Sequence, residues 1–206
     1  GKKPFVIPQY YTNHEEMEAQ FNPVHTPADS VQFKNKNVVV LILESFGKEY
    51  VGSLNKTLEG GHYKGYTPFL DSLIQKSLYF DYSFANGRTS IDGMPSSLSS
   101  IPMFVEKFLL TPAALNSLTS VAGELHKKGY YTAFFHGAAN GSMGFQAFSR
   151  SAGYQDYYGR TEYNNDEDFD GNWAIWDEEF LQFFANKMAT FKQPFCTGIF
   201  TASSHH

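Results

Sequence analysis

The chain is predicted to fold as an α/β three-layer sandwich with a mostly parallel central sheet. Three observations carry this expectation. Val38-Val-Val-Leu-Ile-Leu43 is unbroken and rich in β-branched residues, the pattern of a central parallel strand covered on both faces. Further short apolar runs alternate with helical stretches, which argues for strands joined by helical crossovers. The 206 residues are 42% hydrophobic and 17% aromatic, enough for one domain with a substantial core.

Residues 1–36 are polar and broken by Pro4, Pro8, Pro23 and Pro27, so they read as a linker or wrapping arm with one short helix over 14–20. After the 38–43 strand, Pro68 suits the first turn of a helix over 68–76. Leu78 to Phe84 reads as a strand. Thr89 to Ile101 reads as a helix made irregular by Gly93 and Pro95. Ser120 to Lys128 is an amphipathic helix ended by Gly129. Tyr130 to Phe135 is a strand, and Phe145 to Ser151 a short helix stopped by Gly153. Trp173 to Phe191 is a long helix, and Phe195 to Thr201 a last strand. The acidic cluster 166–170 reads as a solvated loop.

Composition narrows the function. The net charge is −5, and the only basic pairs are Lys2-Lys3 and Lys127-Lys128, so no nucleic-acid partner is expected. Cys196 is the only cysteine, which excludes an intrachain disulfide and a thiolate metal cluster. Its apolar neighbours make it a buried small hydrophobe. The longest strongly apolar run, 38–43, is too short to span a bilayer. The start at Gly1-Lys-Lys-Pro4, with no initiator Met, suggests a piece of a longer chain, with room for targeting elements upstream.

In open parallel sheets ligands bind beyond the carboxyl ends of the strands. Glu44, Thr89, His136, His205 and His206 all fall at such places. Glu44 is either an ordinary strand-end charge or a hard oxygen ligand for a divalent metal. Thr89 and Asp92 have the spacing of a capping box. The same helix-end position also suits a nucleophilic hydroxyl, with Arg88 beside it to clamp a phosphoryl oxygen. Each histidine is either a structural hydrogen-bonding group or part of a site.

Several motifs, in order, resemble one family. Val40-Leu-Ile-Leu-Glu-Ser-Phe46 resembles the first strand and metal-ligand motif of lipoteichoic acid synthases. Gly65-Tyr-Thr-Pro-Phe-Leu-Asp71, Gly87-Arg-Thr-Ser90, Phe135-His-Gly137, Gly153-Tyr154 and Thr201-Ala-Ser-Ser-His205 fit the same pattern. The resemblance is to the lipoteichoic acid synthase branch of the alkaline phosphatase/sulfatase superfamily, with 37–206 as the N-terminal part of the catalytic domain. It implies an alkaline phosphatase-like fold, here truncated. It implies Glu44 as metal ligand, Thr89 as nucleophile and metal ligand, and His136 and His205 in the substrate pocket. One divalent metal is implied, manganese, magnesium or zinc. The activity implied is phosphoryl transfer or phosphodiester hydrolysis on an envelope lipid or glycan head group. The protein would be an extracytoplasmic domain held at the membrane by upstream helices.

Two departures qualify the resemblance. Ala138, Met143 and Phe145 stand where the family carries an acidic residue, a Trp and an Arg, so a less charged head group than glycerol phosphate is expected. The family's remaining metal ligands, an Asp-His pair, lie downstream of the segment matching Ser203-Ser-His-His206. This stretch is therefore expected to be inactive alone, to hold metal poorly, and to dimerise through an unpaired sheet edge. A sulfatase-like hydrolase and a degenerate binding relative are the alternatives. Thr89 cannot become formylglycine, and Ser90-Ile-Asp-Gly-Met94 breaks the sulfatase motif, which favours phosphoryl over sulfuryl transfer.

Overall fold

A computed structural model describes residues 6, 8–22, 24–103 and 105–205. His206 lies outside the described residues. The chain divides into two units, Gly1–Asn35 and Lys36–His206. The first contains α1 (His14–Gln20), started by Asn13, whose side chain accepts the Glu16 N–H at 2.8 Å.

The second unit contains β1 (Val38–Ile42), α2 (Pro68–Ile74), α3 (Gly93–Ser99), α4 (Val121–His126), β2 (Tyr131–His136), α5 (Phe145–Ser151), β3 (Asp156–Tyr158), α6 (Arg160–Tyr163), α7 (Asp177–Met188) and β4 (Phe195–Phe200). The four strands form one sheet in the order β1-β4-β2-β3, and every pair is parallel. β4 is buried at every position.

Alternation along the central strands builds the layers. On one face Phe134, Cys196 and Phe200 pack with Met94 and Leu98 of α3, Ala122 of α4 and Phe148 of α5. On the other, Ala133, Phe135 and Ile199 pack against Phe180 and Phe184 of α7. Those two phenylalanines are four residues apart, one helical turn, so they share a stripe. Acidic residues at 177–179 and Lys187 near the other end suit the helix dipole. The result is the expected three-layer sandwich. Cys196 is fully buried, and burial pushes its thiol up to about 11.

Some elements differ from expectation. β1 is an edge strand: Val38, Val40 and Ile42 pack on the core, while Val39 and Leu41 are exposed. An unbroken apolar run reports two apolar faces, not what covers them. Residues 78–84 form no strand, and Leu78, Phe80, Tyr82 and Phe84 are exposed. The irregular 89–101 stretch resolves into a 3-10 turn, Ser90–Asp92, followed by α3. The long helix begins at Asp177, because Asp170 holds 172–174 in a tight turn before it. β3, only three residues long, gives too short a period to be read from sequence.

Candidate active site

The carboxyl ends of β1, β2 and β4 lie side by side and open into a cleft of about 390 Å³. Its walls include Glu44, Arg88, Thr89, His136 and His205, so the five candidate residues are brought together. Ser45, Lys107, Met143, Phe145 and Trp173 complete much of the lining.

Glu44 follows β1 and is 6% exposed. Its backbone N–H donates to Thr201 Oγ1 at 2.8 Å, and Thr201 N–H donates to the Ile42 carbonyl at 3.1 Å. These bonds lock the ends of β1 and β4 together. Ser45 Oγ donates to Glu44 Oε1 at 2.9 Å, from a residue held at φ 47°. A non-glycine residue in the left-handed region stores strain of the kind that collects at functional sites.

Thr89 precedes the 3-10 turn, but its side chain makes no capping bond. The Asp92 N–H is already bonded to the Thr89 carbonyl at 3.1 Å, so the capping box suggested by the spacing does not form. Instead Thr89 Oγ1 donates to Asp92 Oδ2 at 3.0 Å. Thr89 is solvent-exposed, whereas Asp92 is 4% exposed. Gly87 makes the close approach possible: at φ 134° a Cβ there would lie 2.5 Å from Asp92 Oδ2.

His136 ends β2 and is 1% exposed. Its Nδ1 lies 2.9 Å from the Phe200 carbonyl, which can only accept, so Nδ1 carries the hydrogen. Nε2 is buried without a partner among the described residues. Burial holds the ring below its usual range, against the Phe200 carbonyl and the charges of Asp177 and Glu44. The ring is therefore neutral, with a bare Nε2 lone pair. A lone pair there can accept a hydrogen bond from a hydroxyl and would repel a phosphoryl oxygen.

His205 is positioned by the loop after β4. The Asp177 carboxylate accepts the N–H groups of Ala202 and Ser203, both at 2.8 Å, and Ser203 Oγ accepts the Asp177 N–H at 2.7 Å. The His205 ring stacks on Trp173, with centroids 5.5 Å apart. Asp170 fixes Trp173 by accepting its N–H at 2.6 Å. The acidic 166–170 segment is thus bonded rather than merely solvated: Asp166 also pairs with Arg160 at 2.8 Å.

Arg88 and Lys107 line the cleft without an ion-pair partner among the described residues. Lys107 precedes the 3-10 turn Phe108–Leu110, which packs against Ser142–Gly144. A cation and an aromatic thus reach the cleft at Lys107 and Trp173, while Ala138 is buried in a bridge to Ala174. Sequence reading missed Lys107, Trp173 and Asp177. Trp173 had a visible signal as one of two tryptophans, beside a turn. Lys107 had none, because nothing local tells where its loop returns.

The donors here are the Glu44 carboxylate and the Thr89 hydroxyl, hard oxygens that suit a divalent cation such as manganese or magnesium. Among the described residues no group of three His, Cys, Asp or Glu forms a metal cluster.

The Sulfatase family profile matches residues 36–206. The chain is 26% identical over 175 residues to the lipoteichoic acid synthase-like YvgJ of Bacillus subtilis, covering 84% of this chain and 27% of that protein. Lipoteichoic acid synthase 2 of the same organism is 27% identical, over 84% of this chain and 26% of its own length. Among solved structures, an alkaline phosphatase superfamily protein from Vibrio parahaemolyticus matches with a TM-score of 0.72 and 26% identity, covering 85% of this chain and 42% of that one. The lipoteichoic acid synthase LtaP of Listeria monocytogenes matches in fold, with a TM-score of 0.65 at 23% identity, over 82% of this chain and 41% of its own. The chain thus spans about a quarter of the length of these curated relatives.

Proposed function

Because this chain belongs to the sulfatase family, we propose that it forms part of a phosphotransferase or phosphodiesterase with Thr89 as its nucleophile. The observation that carries the reading is the convergence of Glu44, Arg88, Thr89, His136 and His205 on one cleft. Thr89 Oγ1 attacks phosphorus in line. The bond to the leaving oxygen breaks, its electron pair departs with that oxygen, which takes up the proton released by Thr89, and the phosphoryl group stays on Thr89. A second hydroxyl, from water or an acceptor, then displaces Thr89, and its proton returns to the Thr89 oxygen. Arg88 pairs with a phosphoryl oxygen. His136 Nε2 accepts the hydrogen bond of the incoming hydroxyl and so orients it. Glu44 and Thr89 would hold a divalent cation, manganese, magnesium or zinc, which lowers the pKa of the hydroxyl and neutralises charge on the phosphoryl group.

The lipoteichoic acid synthases among the relatives support an envelope lipid or glycan head group as substrate. They also support an extracytoplasmic place for the cleft on a protein anchored through other segments. No helix among the described residues is long and apolar enough to cross a membrane. Threonine cannot be converted to formylglycine, so phosphate esters rather than sulfate esters are the substrates.

The test uses the full-length polypeptide with manganese, bis(p-nitrophenyl) phosphate and p-nitrophenyl sulfate. Nitrophenolate should appear from the phosphate diester, and the Thr89→Ala variant should release none. Turnover of the sulfate ester alone, or full turnover by Thr89→Ala, overturns the reading.

A further inference from the structure

We infer that Asp92 is a positioning residue that frees the Thr89 hydroxyl for attack by engaging its hydrogen and leaving both oxygen lone pairs open. The inference rests on Thr89 being the nucleophile. A hydroxyl before a helical turn ordinarily caps it, accepting a backbone N–H through a lone pair. Such a bond would spend electron density that a nucleophile needs and would turn the oxygen towards the helix. Two features prevent this. The Asp92 N–H is taken by the Thr89 carbonyl at 3.1 Å. The Asp92 carboxylate, 4% exposed, accepts from Thr89 Oγ1 at 3.0 Å.

The carboxylate gives an otherwise exposed side chain a fixed hydrogen-bond partner. The bare backbone of Gly87 leaves it room. Asp92 then fixes where the nucleophilic oxygen stands, and misplacement of a reacting atom by about 1 Å can cost a hundredfold in rate. Asp92 is not among the residues that line the cleft, so its effect passes through Thr89.

Three variants of the full-length protein separate this role from a structural one. Asp92→Asn keeps an acceptor oxygen at the same reach. Asp92→Leu keeps the buried shape without any acceptor. Asp92→Ala removes both, and if it does not fold, the Asn and Leu pair decides. With bis(p-nitrophenyl) phosphate, Asn should retain kcat within about tenfold. Leu should lose on the order of a hundredfold in kcat with KM within about twofold, at an unfolding midpoint close to that of Asn. Equal kcat for Asn and Leu overturns the inference, as does a loss confined to KM. Thr89→Ala is assayed alongside. If it turns over, the nucleophile assignment itself fails, whatever the Asp92 series shows.

Discussion

At the scale of single residues, polar side chains in the cleft are arranged by which of their atoms remain free. His136 spends Nδ1 on the Phe200 carbonyl and keeps Nε2 bare. Because burial lowers its pKa, the folded protein holds the neutral ring, while the unfolded chain takes a proton below about pH 6.5. This contribution to stability is complete above that value. It is lost as pH falls, by up to about 1.4 kcal/mol per pH unit. Urea unfolding midpoints measured from about pH 7 to pH 5 should fall less steeply for His136→Gln than for wild type. Identical slopes would contradict the buried neutral imidazole. Thr89→Ala should destabilise by about 1–3 kcal/mol, because it strands the buried Asp92 carboxylate rather than removing a cap. An unfolding curve identical to wild type would count against that bond. The candidate positions at 44, 136 and 205 were legible in the sequence because each ends or follows a strand, and 88 and 89 because they lead into a helical turn. The direction of each hydrogen bond was not, because Thr89 and Asp92 at one spacing suit either a cap or a pinned hydroxyl.

At the scale of elements, α7 does two jobs. Phe180 and Phe184 seal one face of the sheet, and Asp177 at its start clasps the loop that carries His205. Phe184→Ala should cost about 3–5 kcal/mol with no specific effect on the cleft. Asp177→Ala should instead speed hydrogen exchange at the Ala202 and Ser203 amides and raise KM, while leaving most of the core protected. Unchanged exchange at those two amides would show that the clasp does not hold the loop. The strands β1, β2 and β4 were readable because each is an apolar run longer than four residues. The 78–84 segment misled for the same reason: it is apolar and aromatic yet lies exposed and unpaired with any described strand. Composition measures what a segment could pack, and pairing depends on partners elsewhere in the fold.

At the scale of the whole molecule, the charge of the cleft opposes that of the chain. The net charge is −5, yet the cleft carries two cations, Arg88 and Lys107, without ion-pair partners among the described residues, against the Glu44 carboxylate. An anionic substrate should be drawn in by this local field, so KM for a phosphodiester should rise severalfold between about 0.05 and 0.5 M salt, with Lys107→Gln flattening the rise. A KM indifferent to salt would contradict it. Sequence alone could not supply this balance, since Lys107 reaches the cleft through a loop fixed only by long-range packing. The fold, the cleft and the fate of its charges all bear on one claim, that Thr89 forms a bond to phosphorus. Acid-quenching the full-length protein during turnover of bis(p-nitrophenyl) phosphate, then sequencing its peptides by mass spectrometry, tests that claim most directly. A p-nitrophenylphosphoryl adduct on Thr89, absent from Thr89→Ala, is the predicted result; sustained turnover with an unmodified Thr89, or with the adduct on another residue, would contradict it.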